Sequence, residues 1–453
     1  MKLDQTIDSN RDKFYKTLLT LAIPIILQNF LTSSLNMVDN LMIGSLGEEA
    51  IAAVGQANQL FFLFNLMSFG LNSGGAIFFS QFHGKKDYLT LKRYMGATMV
   101  LGTLIALFFS FLAIVIPERI MGIYSDNPIV LRESVNYLRI VGLSYVVNNL
   151  SFTMIFALRA TNQAFVPILS SIVGLGTNAV LNYCLINGFY GFPRLEVKGA
   201  AIATLIARIL EFFILFYVVF IKSNILNAKL KELFSFNKEN LRKYISVALP
   251  VILNETFWSL GIVAYNYSYS KLGVSSFAAI QIQNTIMQLF YVFSFGICNA
   301  TAIVTGNLIG KGKIDRLKDY SRRIIKLTLV TGVLTGVVLF ALKGPILSLY
   351  TLEEATRVTT TRLLTIMSIA VPIRILNVLF VVGLFRGGGD TRFGLIAEIS
   401  SLWLIGVPLV FVAALIFRLP VEYVLLASIT EEIVKFFLCY FRFRSYKWIH
   451  SVI

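Results

Sequence analysis

Asp39 stands in SLNMVDNLMIG, residues 34–44, inside an apolar run that starts near Phe14 and holds no other acid after Asp12. A charged side chain costs about 3 kcal/mol or more at the centre of a bilayer, so an acid kept there needs a use or a partner. The run offers no cation within reach. Asn178 and Asn182 are four residues apart and share one face of a helix. GAAIAT, residues 199–204, adds the hydroxyl of Thr204. One carboxylate, two amides and a hydroxyl are oxygen donors of the kind a hard cation such as Na+ accepts. The same surroundings could instead make Asp39 a proton carrier through desolvation. Polar side chains also join helices, so the asparagines alone permit a purely structural reading.

In the second half, LPVILNETFW (249–258) sets Asn254 and Glu255 just after the helix-breaking Pro250. Glu255 suits a cationic substrate or a coupling ion, or pairs with Arg374. Glu398, Glu431 and Glu432 are further acids with only Arg374 and Lys435 nearby in sequence, too few bases to neutralise all of them by direct pairing. Arg208 and Glu211, three apart, are placed to satisfy each other.

Other chemistries find no support. GNLIGKGK (306–313) is one residue short of a phosphate-binding loop, lacks the Ser or Thr that would hold magnesium, and ends an apolar run where that loop would join a strand to a helix. Nothing here is expected to bind ATP. FRGGGD (385–390) reads as a tight turn. Cys184, Cys298 and Cys439 are isolated in apolar stretches, which indicates neither disulfides nor a thiolate metal site. His83 and His450 lie in basic flanks and read as ordinary solvated residues. No carboxylate pair, metal cluster or activated nucleophile stands out, so the chain is not expected to be an enzyme and needs no cofactor beyond a coupling ion.

The elements that must hold these residues follow from hydropathy. With 453 residues, 56% of them hydrophobic and 14% charged, and a mean hydropathy of +0.74, the chain has too little polar surface to enclose a soluble globule. Twelve apolar runs are each long enough to cross a bilayer as a helix: 14–44, 50–82, 93–116, 134–158, 165–188, 199–221, 244–270, 276–309, 324–350, 361–385, 393–417 and 420–441. The first is too long for a cleaved signal peptide and lacks a small-residue cleavage site. The net charge of +16 follows topology, which argues against nucleic acid as a partner: 28 of the 40 Lys and Arg residues fall in alternate connecting segments. The positive-inside rule then puts both termini in the cytoplasm.

Set against itself at a shift of 226 residues, the chain repeats: Pro24 meets Pro250, Leu46-Gly47 meets Leu272-Gly273, Ser68-Phe69-Gly70 meets Ser294-Phe295-Gly296, and Gly84-Lys85 meets Gly310-Lys311. More loosely, Arg159 aligns with Arg386 and Glu211 with Glu431, while Asp39 falls opposite Tyr265. The expected fold is therefore an all-α membrane protein of twelve transmembrane helices in two pseudo-symmetric six-helix lobes, 1–222 and 244–453, joined by a basic cytoplasmic linker at 223–243. An even number per lobe gives parallel repeats related by an axis along the membrane normal, with alternating access by rocking of the lobes.

The segments MVDNLMIGSLG (37–47), AAVGQANQ (52–59), Gln81 to Lys85, Asn178 with GAAIAT, LPVILNE (249–255) and FRGGGDTRFG (385–394) together resemble the multidrug and toxic compound extrusion (MATE) family over nearly the whole chain. The resemblance implies twelve helices in two lobes and export of organic cations and other amphipathic drugs in exchange for sodium ions or protons. It marks Asp39 as the coupling carboxylate of the first lobe, with Asn178, Asn182 and Thr204 around it, and Glu255 as the acid of the second. Two positions depart from the family: Asn182 stands where some members carry an acid, and Arg374 and Asn377 stand near where the sodium-coupled branch has one. The expectation of ion coupling therefore falls on the N-terminal lobe.

The chain thus reads as a secondary antiporter of the inner membrane, acting as a monomer on bulky amphipathic, cationic compounds. The rival reading on the same fold is a flippase for lipid-linked saccharides. Its anionic headgroups call for unpaired basic residues in the cavity, where only Arg208 and Arg374 qualify.

Overall fold

The computed structural model describes residues 11–189, 191–222, 225–350 and 352–453, with the side chains of 11–15, 35–37, 40 and 41 left outside that description. The first ten residues of the expected N-terminal lobe, and residues 223 and 224 of the expected linker, therefore lie outside it as well.

Among the described residues the chain is a succession of twelve long helical passes: α1 (Arg11–Gly44), α2 (Glu48–Lys85), α3 (Tyr88–Val115), α4 (Pro128–Gly142 continued by Ser144–Ala160), α5 (Phe165–Asn187), α6 (Glu196–Ile221), α7 (Lys238–Ser270), α8 (Val274–Gly310), α9 (Ile314–Leu347), α10 (Glu354–Phe385), α11 (Thr391–Ile416) and α12 (Val421–Arg444). Ten of them are long and apolar enough to span a membrane singly, and the two pieces of α4, bent by 46°, make an eleventh span. The twelfth, α12, has Glu422 at its start and Arg442 and Arg444 at its end, and between them it is apolar except for a few hydroxyl-bearing side chains and for Glu431, Glu432 and Lys435 grouped at its middle.

Outward-facing apolar stripes identify the solvent as lipid. On α3, Leu104, Leu107, Phe108 and Phe111 follow helical spacing and are all exposed, and on α9 so are Val330, Val333, Leu334 and Val337. Buried polar groups lie inside instead. Asn149 Oδ1 on α4 accepts from Ser68 Oγ (2.8 Å) and Asn72 Nδ2 (3.2 Å) of α2, and Thr153 Oγ1 donates to Asn72 Oδ1 (2.7 Å). This is the arrangement expected where no water is available to satisfy them. The α4 bend has a local cause: at the break, Ser110 Oγ of α3 donates to the Gly142 carbonyl (2.8 Å), replacing a helical partner.

The chain divides into two compact units, Leu27–Ile252 and Met1–Ile26 with Leu253–Ile453, here called the N-terminal and C-terminal units. Both cuts fall inside a helix, α1 and α7, and they are 226 residues apart. The 222–243 segment carries a short helix, Leu230–Leu233, tied to α3 by a Lys92–Glu232 ion pair (3.4 Å) and by an Arg93 hydrogen bond to Ser235 (3.0 Å). The FRGGGD stretch is more than a turn. Gly389 has φ +80°, but a Cβ at Gly387 would sit 2.6 Å from the Ala302 carbonyl, and one at Gly388 would sit 2.5 Å from that of Trp448. His83, expected to be solvated, is buried near Asn162 because α2 runs past it to Lys85.

Candidate functional site

Helices α1, α5 and α6 bring together the four residues singled out in the N-terminal half. Asn182 Nδ2 donates to Asp39 Oδ1 at 2.7 Å. With its amide turned so that nitrogen faces the acid, Asn178 donates to Asp39 Oδ1 (2.8 Å) and Oδ2 (3.1 Å), while its oxygen accepts from Thr204 Oγ1 (3.3 Å). Spacing explains the geometry: four residues is about one helical turn, so the two amides stack and both reach one carboxylate. Both asparagines are buried, and Asn182 Oδ1 has no donor.

Asp39 forms no ion pair among the described residues. Arg208, whose charge acts on it, is held by Glu211 at 2.6 Å, and Glu211 also accepts from Ser171 Oγ at 3.0 Å. One neighbour escaped the sequence reading. Tyr137 on α4, buried, has its hydroxyl against Thr204 and close to Asp39. An aromatic residue in an amphipathic stretch carries no signal of such a role.

Glu255 lies elsewhere and is not free. Arg386, at the end of α10, donates to its carboxylate at 2.7 Å and to Asn254 Oδ1 at 3.5 Å. The repeat accounts for this, since Arg159 in the same position of the N-terminal half donates to Gln28 of α1. Arg374, the partner weighed from sequence, instead pairs with Glu432 at 3.2 Å and donates to the Tyr291 hydroxyl at 3.4 Å. The remaining acids form one buried network around Lys435, described below.

A family model described as MatE matches residues 24–184 and 250–412. The chain belongs to the MatE family. The two matched stretches begin at Pro24 and Pro250, the first counterparts of the internal repeat. Among relatives, the chain is 26% identical over 410 residues to "Probable multidrug resistance protein YoeA" of Bacillus subtilis (strain 168), covering 90% of this chain and 88% of that one. It is 26% identical over 396 residues to "Multidrug resistance protein NorM" of Burkholderia vietnamiensis, covering 86% and 84%. Among solved structures, "Crystal structure of MATE in complex with MaL6" superposes with a TM-score of 0.89 at 19% identity, covering 98% of each chain. This MatE protein is a transporter that crosses the membrane many times, and not an enzyme. Its fold is that of an all-α membrane protein with twelve helices in two pseudo-symmetric halves.

Proposed function

We propose that this MatE protein is a secondary antiporter that exports amphipathic, cationic compounds in exchange for Na+ or H+, loaded at Asp39. The observation that carries the reading is a carboxylate in a membrane helix whose described partners are amides, with the hydroxyl of Thr204 one contact beyond, and no base. Such a group gains by taking up a cation or a proton, because an uncompensated charge at that depth is costly. Na+ would be held by Asp39 and by the Asn178, Asn182 and Thr204 oxygens once the two amides turn oxygen toward the ion, and Asn182 Oδ1 is an acceptor in need of a partner. Ion loading at Asp39 and substrate binding are coupled by one free energy that acts in both directions.

A cationic substrate is favoured over an anionic lipid headgroup because both arginines such a headgroup would require, Arg208 and Arg374, are bound to Glu211 and Glu432. In this reading Glu255, neutralised by Arg386, supports the second lobe and is not an open cation site. The sequence lobes 1–222 and 244–453 are the duplicated units, the chain works as a monomer, and the basic segments put both termini on the cytoplasmic side of the inner membrane. The test is dye efflux from vesicles with the sodium and proton gradients imposed one at a time. Asp39→Asn is expected to abolish gradient-driven efflux at unchanged expression, and efflux at the wild-type rate in that variant would overturn the reading.

A further inference from the structure

The C-terminal unit holds a buried charged network that transport through Asp39 does not use. At the middle of α12, Glu431, Glu432 and Lys435 are all buried, and Glu398 of α11 is buried with them. Two of the three acids are matched. Lys435 Nζ lies 2.7 Å from Glu398, and Arg374 lies 3.2 Å from Glu432, which also accepts from Asn377 Nδ2 at 2.8 Å. Glu431 is the acid left over. Its Oε2 accepts from the Tyr265 hydroxyl at 2.8 Å, and Lys435, already committed to Glu398, comes no nearer to it than 4.0 Å.

Three carboxylates and two bases in one buried network leave a surplus negative charge, which such surroundings penalise heavily. A second observation points the same way. Asn377 is buried, and its Nδ2 is committed to both the carbonyl and the carboxylate of Glu432, so turning the amide would lose two hydrogen bonds. The Oδ1 of that amide has no donor and needs a proton-bearing group. The internal repeat adds a third. Glu431 is the counterpart of Glu211, whose cation Arg208 has become Ser428, and Tyr265 is the counterpart of Asp39. The N-terminal half places its lone acid on α1 and pairs the acid on α6. The C-terminal half has Tyr265 at the position of Asp39 and leaves Glu431, the counterpart of the paired Glu211, without a base of its own.

We propose that Glu431 is a proton-binding carboxylate of the C-terminal unit, hydrogen-bonded by Tyr265 and distinct from Asp39. The titratable and charged groups acting on it are Tyr265 and Tyr269 of α7, Arg374 of α10, Glu398 of α11, and Glu432 and Lys435 of α12. Among these, Glu398 and Glu432 each hold a base closer than Glu431 does. Gly406 of α11 leaves the room, because a Cβ there would collide with the Tyr265 hydroxyl and with Glu431 Oε2.

Infrared difference spectroscopy of the full-length protein in lipid nanodiscs, across a pH step, reads the proton directly. In an Asp39→Asn background a protonated-carboxyl band is expected to remain, to disappear on adding Glu431→Gln, and to shift in frequency with Tyr265→Phe. Glu398→Gln releases Lys435 toward Glu431 and is expected to shrink the band at least twofold, an effect that a merely structural acid would not give. A band that survives Glu431→Gln overturns the proposal, as does the absence of any such band in Asp39→Asn, or a band that sodium removes at fixed pH. Because the readout is a bond vibration and not efflux, failure here leaves the Asp39 reading standing, and failure of the Asp39 efflux test leaves this one.

Discussion

At the scale of single residues, the site around Asp39 separates what charge does from what positioning does. Asn182 gives the shorter of the two amide contacts to the carboxylate in the described orientation, 2.7 Å. A hydrogen bond to a charged group is worth about 1.5–3 kcal/mol. Asn182→Ala should therefore change the ion concentration for half-maximal efflux by roughly tenfold or more at unchanged expression, and a value within twofold of wild type would remove Asn182 from the site. Thr204→Ala should do less, because Thr204 reaches the acid only through Asn178. The acid, the two amides and the hydroxyl were legible in the sequence because a polar residue among apolar ones is conspicuous. Their partners were less so. Tyr137 and Tyr265 resemble ordinary aromatic residues of a membrane helix, and the pairing of Glu255 with Arg386, 131 residues away, depends on how α7 and α10 pack.

At the scale of elements, close approach between helices depends on small residues in the same register of both halves. On α2 a Cβ at Gly70 would sit 2.8 Å from the Ile252 backbone, and one at Gly74 would sit 2.7 Å from Ala248. On α8 the repeat counterpart Gly296 faces Ile26 in the same way, at 2.2 Å from its side chain. Small residues four apart are the usual means of bringing helices together in lipid. Gly74→Leu should lower the melting temperature in detergent, since overpacking costs about 1–3 kcal/mol, and an unchanged melting curve would show that α2 and α7 are not held at this contact. The linker helix gives a pH-dependent case. The Glu232 carboxyl is held below its usual range by the Lys229 backbone N–H, with Lys92 adding to the effect, so its contribution is full at neutral pH and lost as pH falls through that range. Protease cutting at 229–235 should therefore rise on acidification, and Glu232→Gln should remove the change.

The helices themselves were readable from sequence, because about 20 apolar residues in a row have few alternatives in a membrane, but α3, α4, α7, α9 and α10 begin five to ten residues before their apolar runs, in polar turns that hydropathy does not register. What hydropathy does not carry is the interruption of a helix. The break of α4 at Gly142, where Ser110 of a neighbouring helix donates to the carbonyl, and the π-helical stretches of α10 and α11 leave no mark in the apolar pattern.

For the whole molecule, duplication supplies the logic and departures from it supply the specialisation. The repeat predicts matching positions for Gln28 and Asn254, for Arg159 and Arg386, and for Glu211 and Glu431, and the structure gives each pair comparable surroundings with different charge. The compact units are divided at Ile26–Leu27 and Ile252–Leu253, within two or three residues of Pro24 and Pro250, and not at the linker where sequence composition changes. Hence α1 and α7 each belong partly to both units, and any rearrangement between the units must be absorbed along those two helices. Proline lowers the cost of doing so, because it removes one helical hydrogen bond and leaves a carbonyl without its usual donor. Asp39 lies on α1 beyond Pro24, so in the proposed antiport the helix that would load the ion is also one that would deform. Pro24→Ala and Pro250→Ala should each reduce the maximal rate of gradient-driven efflux several-fold while leaving equilibrium dye binding within about twofold. If rate and binding fall together, the prolines serve packing. If neither changes, the deformation is taken up elsewhere along α1 and α7, and their shared membership of both units has no part in transport.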